Sequence, residues 1–225
     1  MRYHEFNSLL FEGLNHPCIV VDCQPEYARY GGYEYQDICD NIIHFVNEQR
    51  GPVLMFINAE ETGTSRDTKN DVLSYWEETV LGNTDPADFY DASGGESPID
   101  WNRFTIVDKG YGYLRSWMDH DVSPHAIIKV IRLMYQSKVS DSRDLFGGEE
   151  SDNYEINMKE LLGHDFIPMV LYDQITVNWT SIAQLKRFSG AYLVGGGRNE
   201  CLREVELLMN AFNIKYKRID SLVYG

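Results

Sequence analysis

Cysteine is scarce in this chain, long apolar runs are missing, and bases are far outnumbered by acids. Four cysteines (Cys18, Cys23, Cys39 and Cys201) among 225 residues form no Cys-x-x-Cys pair. That excludes a disulfide framework or a zinc ribbon and leads us to expect reduced thiols in a cytoplasmic protein. Apolar stretches such as 18–21 are far shorter than the ~20 residues that cross a bilayer, so no membrane association is expected. The first residues (MRYHEFNSLLFEGLNH) hold no continuous apolar segment and no small-residue cleavage site, so a signal peptide is not expected either. Six histidines form no His-x-His or His-Glu-x-x-His spacing, the acids of 141–152 lack the EF-hand register, and no Gly-x-Ser-x-Gly elbow occurs. We therefore expect no metal, no cofactor and no serine nucleophile.

What is present is a foldable, strongly acidic composition. Acids number 35 against 20 bases, a net charge of −15 with a pI near 4.7, which disfavours binding to a phosphate backbone. Hydrophobic residues make up 43% and aromatics 13%, enough for a packed core. The charge is concentrated: residues 60–100 hold 11 acids and 2 bases, and 141–165 hold 8 acids and 2 bases. Within them, 83–100 and 140–153 are rich in Gly, Ser, Asp and Asn and read as solvated loops. Their bland role is a hydrated surface; their functional one is to dock a basic partner.

Six short runs read as strands: 16–23, 52–59, 103–109, 165–172, 191–196 and 214–219. Each is rich in β-branched or aromatic residues and bounded by Gly, Pro, Asn or Asp. Helical spacing marks 35–49, a helix capped by Asp67 or Thr68, one opened by Ser123–Pro124, 180–188 behind Asn178 or Thr180, and 200–212 capped by Asn199. Alternating strands and helices predict a single α/β domain over 1–225, with three α/β/α layers and a mostly parallel sheet. The apolar density of 126–135 marks a candidate subunit interface, hence a homo-oligomer. In such sheets ligands bind beyond the carboxyl ends of the strands, which singles out Asp22, Asn58 to Glu60, Lys109 and Gly195 to Cys201.

The first strand ends in Asp22, followed by Gln24, Glu26 and Tyr27, the pattern D-x-Q-x-[DE]-[FY]. Lys109 follows a middle strand in FTIVDKGYGYL, and Cys201 opens a helix after a Gly-ended strand in YLVGGGRNECLREV. In these residues the chain resembles the isochorismatase-like, nicotinamidase-related cysteine hydrolases. The resemblance covers roughly 16–60, 103–114 and 191–220, and implies their Rossmann-type topology with an insertion around 115–188. It implies Asp22 as base, Lys109 as electrostatic partner and Cys201 as nucleophile in hydrolysis of a small amide or related planar metabolite. Gln24, Tyr27, Tyr111, Tyr113, Gly197, Arg198 and Glu200 would then face the substrate. A variant has Asp22 acting as general acid on a vinyl ether. The metal-binding Asp and His cluster of nicotinamidases has no counterpart, in keeping with an absent metal.

The chemistry also stands on residue types alone. A thiol at a helix N-terminus meets the positive end of the dipole, a carboxylate can take its proton, and first-turn amides can hold an oxyanion. Plainer roles compete: Asp22 capping its turn, Lys109 solvated, Cys201 an inert buried thiol. A third reading takes Gly195–Gly196–Gly197 with Arg198 as a nucleotide-phosphate turn.

Overall fold

A computed structural model of the chain describes residues 15–30, 32–58, 68–108, 114–146, 153–171 and 173–225. Its contacts gather into two compact units, one built from 1–110, 190–198 and 216–225, the other from 111–189 and 199–215.

The first unit holds a five-stranded, all-parallel sheet in the order β3-β2-β1-β4-β5. Its strands are β1 (Cys18–Val21), β2 (Val53–Ile57), β3 (Phe104–Asp108), β4 (Ala191–Gly195) and β5 (Tyr216–Arg218). These are five of the six expected strands, and the α/β class is as the sequence implies, consistent with a three-layer α/β/α fold. Every residue of β1, β2 and β4 is buried, as a parallel sheet covered on both faces requires. Helices α1 (Pro25–Tyr30) and α2 (Gly32–Glu48) join β1 to β2. Helices α3 (Lys69–Leu81) and α4 (Pro86–Ser93) lie between β2 and β3. One layer of the core interleaves Val20, Met55 and Val194 from the sheet with Ile42, Phe45 and Trp76 from the helices.

Local rules explain the helix boundaries. Thr68 caps α3 in a capping box, its side chain accepting from the Asp71 amide at 3.2 Å while Asp71 accepts from the Thr68 amide at 2.7 Å. Arg103 donates to the carbonyls of Gln49 and Gly51 just past the end of α2, the latter at 3.1 Å.

The segment 83–100, expected to be loop, contains helix α4. Asp85 caps it by accepting from the Ala87 amide at 2.8 Å, and Pro86 occupies its first turn. The acids there do local work. Glu77 accepts from Ser97 (2.6 Å), the Trp101 indole (2.8 Å) and the Tyr90 hydroxyl (2.9 Å), tying α3 to the chain ahead of β3. Partial burial pushes Glu77 up, but those three hydrogen bonds outweigh it and leave the carboxyl below its usual value. Asp88, Asp91 and Glu96 are exposed.

The second unit is helical: α5 (Leu114–Asp119), α6 (Pro124–Ser137), α7 (Ser142–Leu145), α8 (Tyr154–Leu162), α9 (Trp179–Arg187) and α10 (Cys201–Ala211). Ser123 caps α6 with Pro124 in its first turn, and Asn178 caps α9, both as expected. Ala126, Ile127, Val130, Ile131 and Met134 are buried in the chain itself, so the apolar density of 126–135 needs no subunit interface to explain it. Asp141, in the segment expected to be loop, caps α7 and pairs with Arg143 at 2.8 Å. The expected strand at 165–172 is not one: Gly163–Asp165 and Pro168–Leu171 form 3-10 turns. Pro168 carries no N–H to give a ladder, and it sits at the start of a turn where none is needed.

Candidate functional site

The sheet order reverses direction at β1 and β4, so the crevice beyond their carboxyl ends is the topological switch point of the first unit. Asp22 is the first residue past β1. It is 1% exposed and adopts a left-handed backbone with φ of 49°, a region that aspartate enters more readily than most non-glycine residues. Two hydrogen bonds hold it there. Its amide donates to the Phe56 carbonyl at 3.0 Å, and its carbonyl accepts from the Tyr224 hydroxyl at 3.3 Å.

Gln24 is fully buried and clasps the end of β2. Its Nε2 donates to the Asn58 carbonyl at 3.2 Å, and its Oε1 accepts from the Asn58 amide at 3.0 Å. The Asn58 side chain donates in turn to the Tyr27 hydroxyl at 3.3 Å. Gln24, Tyr27 and Asn58 are thus one network joining the ends of β1 and β2, and the amide of Gln24 is spent on main chain.

Across the switch point, Gly195 has φ of 80°, and a Cβ there would stand 2.2 Å from the Val21 carbonyl oxygen. Only glycine lets β4 lie this close to β1. The turn beyond it is occupied by the chain's own last residues. Tyr224 donates from its amide to the Gly196 carbonyl at 3.1 Å, accepts from the Arg198 amide at 3.0 Å, and bridges to Gly197. The Arg198 guanidinium pairs with Asp220 at 3.1 Å, an acid that also takes Arg218 at 2.8 Å. The glycines therefore have a structural occupant, and a phosphate would compete with Asp220 for Arg198.

No family model, curated protein or solved structure matches this chain.

Of the three expected catalytic residues, Asp22 belongs to the first unit and Cys201 to the second, while Lys109 lies outside the described residues, as do Tyr111 and Tyr113. Cys201 is half-buried and opens α10, as expected. The cap differs from expectation: Glu200 rather than Asn199 holds that position, in a backbone conformation from which its side chain makes no capping bond. On the same helix Glu204 and Glu206 are buried, the latter paired with Arg203 at 3.1 Å. The other three thiols are fully buried, and burial pushes Cys18 up to about 12 despite the nearby Arg103 charge. Among the described residues no three His, Cys, Asp or Glu side chains are placed to hold a metal ion, and no helix is long and apolar enough to cross a membrane.

Two features escaped the reading of the sequence. One is Tyr224, fully packed beneath the switch point with its ring stacked on Tyr35 at 5.0 Å between centroids. Nothing local marks a tyrosine near the end of the chain as part of a site. The other is a cavity of about 260 Å³ in the second unit, where Met118, Val122, Ile127 and Leu207 meet Asn199 and Arg203.

Proposed function

We propose that the chain is a hydrolase that cleaves a small amide or related planar metabolite, working as the isochorismatase-like enzymes it resembles do. The observation that carries this reading is Asp22. A carboxyl group buried at the switch point, on a turn whose main chain is fixed by two hydrogen bonds, lies where such sheets bind their ligands. Cys201 as nucleophile and Lys109 as electrostatic partner rest on the resemblance, supported for Cys201 by its place at the start of α10. In the mechanism the resemblance implies, the nucleophilic thiol gives its proton to the carboxylate base and attacks the carbonyl carbon. The C–N bond then breaks with the base returning the proton to the leaving amine, and water hydrolyses the thioester.

The test is ammonia release from a panel of small primary amides, together with iodoacetamide labelling of the folded protein read for each cysteine. We expect turnover that falls about 100-fold or more in Asp22→Asn with the melting temperature unchanged. Cys201 should label below pH 7 while Cys18, Cys23 and Cys39 stay protected. No turnover on any amide, with Cys201 silent until the protein unfolds, would end the hydrolase reading. The exposed acids Asp88, Asp91 and Glu96 would then be the place to look for a basic partner.

A further inference from the structure

Directly beneath the switch point, two of the chain's four cysteines face one another in the core of the first unit. Cys23 lies in the turn after β1, between Asp22 and Gln24, and Cys39 lies on α2. Both are fully buried. The Cys23 thiol reaches the Cys39 carbonyl oxygen at 3.8 Å, and the Cys39 sulfur lies 3.0 Å from the Tyr224 hydroxyl. The Trp76 indole donates to the Cys23 carbonyl at 2.9 Å and fixes that turn from below. Ordinary buried cysteines sit among hydrocarbon, as small apolar residues. Cys39 instead has a tyrosine hydroxyl within hydrogen-bond reach of its sulfur.

We propose that Cys23 and Cys39 are a reversible oxidation site, with Cys39 the thiol that a peroxide attacks and Cys23 the thiol that resolves it into a disulfide. The electrostatics divide the two roles. The Cys23 thiol beside it, with the Tyr224 and Tyr75 hydroxyls, outweighs burial and the nearby Asp40 charge and holds Cys39 below the ordinary thiol value. Burial pushes Cys23 well above it. When Cys39 is a thiolate, Tyr224 turns its single proton from the Asp22 carbonyl, 3.3 Å away, to the sulfur.

The steps balance. The Cys39 thiolate attacks one oxygen of hydrogen peroxide, the O–O bond breaks, and the departing hydroxide takes up a proton as water, leaving a sulfenic acid. Cys23 then gives up its proton and attacks the Cys39 sulfur, the S–O bond breaks, and a second water leaves. Two thiols and one peroxide become a disulfide and two waters; a dithiol reverses the change by exchange. Peroxide is scarcely larger than water. It gains entry only through local opening of the packing over the two thiols. Because Cys23 separates Asp22 from Gln24, a disulfide draws the turn that carries both toward α2.

The full-length protein would be treated with hydrogen peroxide at neutral pH, alkylated in denaturant, digested and read by tandem mass spectrometry. We expect Cys23 and Cys39 linked, Cys18 fully alkylated, and the link removed by dithiothreitol. Cys23→Ser should leave Cys39 as a sulfenic acid that dimedone traps. Tyr224→Phe, which keeps the ring, should slow the linkage several-fold while linkage of the unfolded chain is unaffected. Recovery of Cys23 and Cys39 as free thiols, under peroxide that oxidises the urea-unfolded chain, would overturn the proposal, as would a link from Cys18. No turnover enters these readouts, so the site stands or falls apart from the hydrolase reading.

Discussion

Replacing Gln24 by leucine isolates the clasp at the carboxyl edge. The new side chain is apolar and similar in volume, so packing is nearly kept, but the Asn58 N–H and C=O each lose their partner at a residue only 6% exposed. A buried main-chain group left unsatisfied costs about 1–3 kcal/mol, so the pair costs roughly 2–6, and the better burial of leucine returns part of it. We expect a loss of about 3 kcal/mol in urea unfolding, or roughly 6–12 °C in melting temperature for a chain of this size. Gln24→Glu adds a sign. A protonated glutamic acid accepts from the Asn58 amide and donates to its carbonyl as glutamine does, whereas a carboxylate cannot donate and is buried as a charge. Its native pKa must therefore rise above the unfolded value of about 4.3. The variant should match the parent below that pH and lose stability as pH rises toward 7. A deficit under about 1 kcal/mol in Gln24→Leu, or one independent of pH in Gln24→Glu, would refute the reasoning.

Three further outcomes follow from the same structure. Gly195→Ala forces a left-handed alanine, about 1–2 kcal/mol by itself, and drives a Cβ to 2.2 Å from main chain, so we expect at least about 3 kcal/mol lost on urea unfolding, or failure to fold. Cys18, raised by burial from 9.0 to about 12, stays neutral in the folded state while the unfolded chain ionises. Stability is thus full below pH 9 and falls above it, and Cys18→Ala should make the slope between pH 9 and 12 shallower by about 1.4 kcal/mol per unit, as pH-dependent denaturation would show. Glu77→Gln should cost about 1–2 kcal/mol and flatten the acid limb of the stability curve. The carboxylate held below its ordinary 4.5 contributes fully above that pH and loses its contribution as pH falls through the native value.

The strands were legible because CIVV, VLMFI and AYLVG are short β-branched or aromatic runs between turn residues, and a parallel sheet buried on both faces favours such runs. Asp22 was legible for the same reason, as the first polar residue where such a run stops. The caps at Thr68, Ser123 and Asn178 follow from side-chain oxygens within reach of first-turn amides. Helix α4 was hidden because Asp, Ser, Gly and Asn in 83–100 outvoted the Asp85–Pro86 start signal. At 165–172 the β-branched residues outvoted Pro168, whose missing N–H decides the matter. The partners of Asp22 were not legible at all: what meets the end of β1 is set by crossovers that bring Tyr224 from far along the chain, and no local pattern encodes that.

The pairing of β1 with β4 also has a consequence in time. Cys18 lies beside Tyr192, and the turn that follows β4 is completed by Tyr224. At a synthesis rate of about 5–20 residues per second, β1 waits roughly 10–35 s for that neighbour. Throughout the wait β1 offers an unpaired, wholly apolar edge to the crowded space around the ribosome. Production of this protein should therefore depend on chaperone supply and on growth temperature more than its finished stability suggests, and the segment most exposed to misassembly is the one that ends in Asp22.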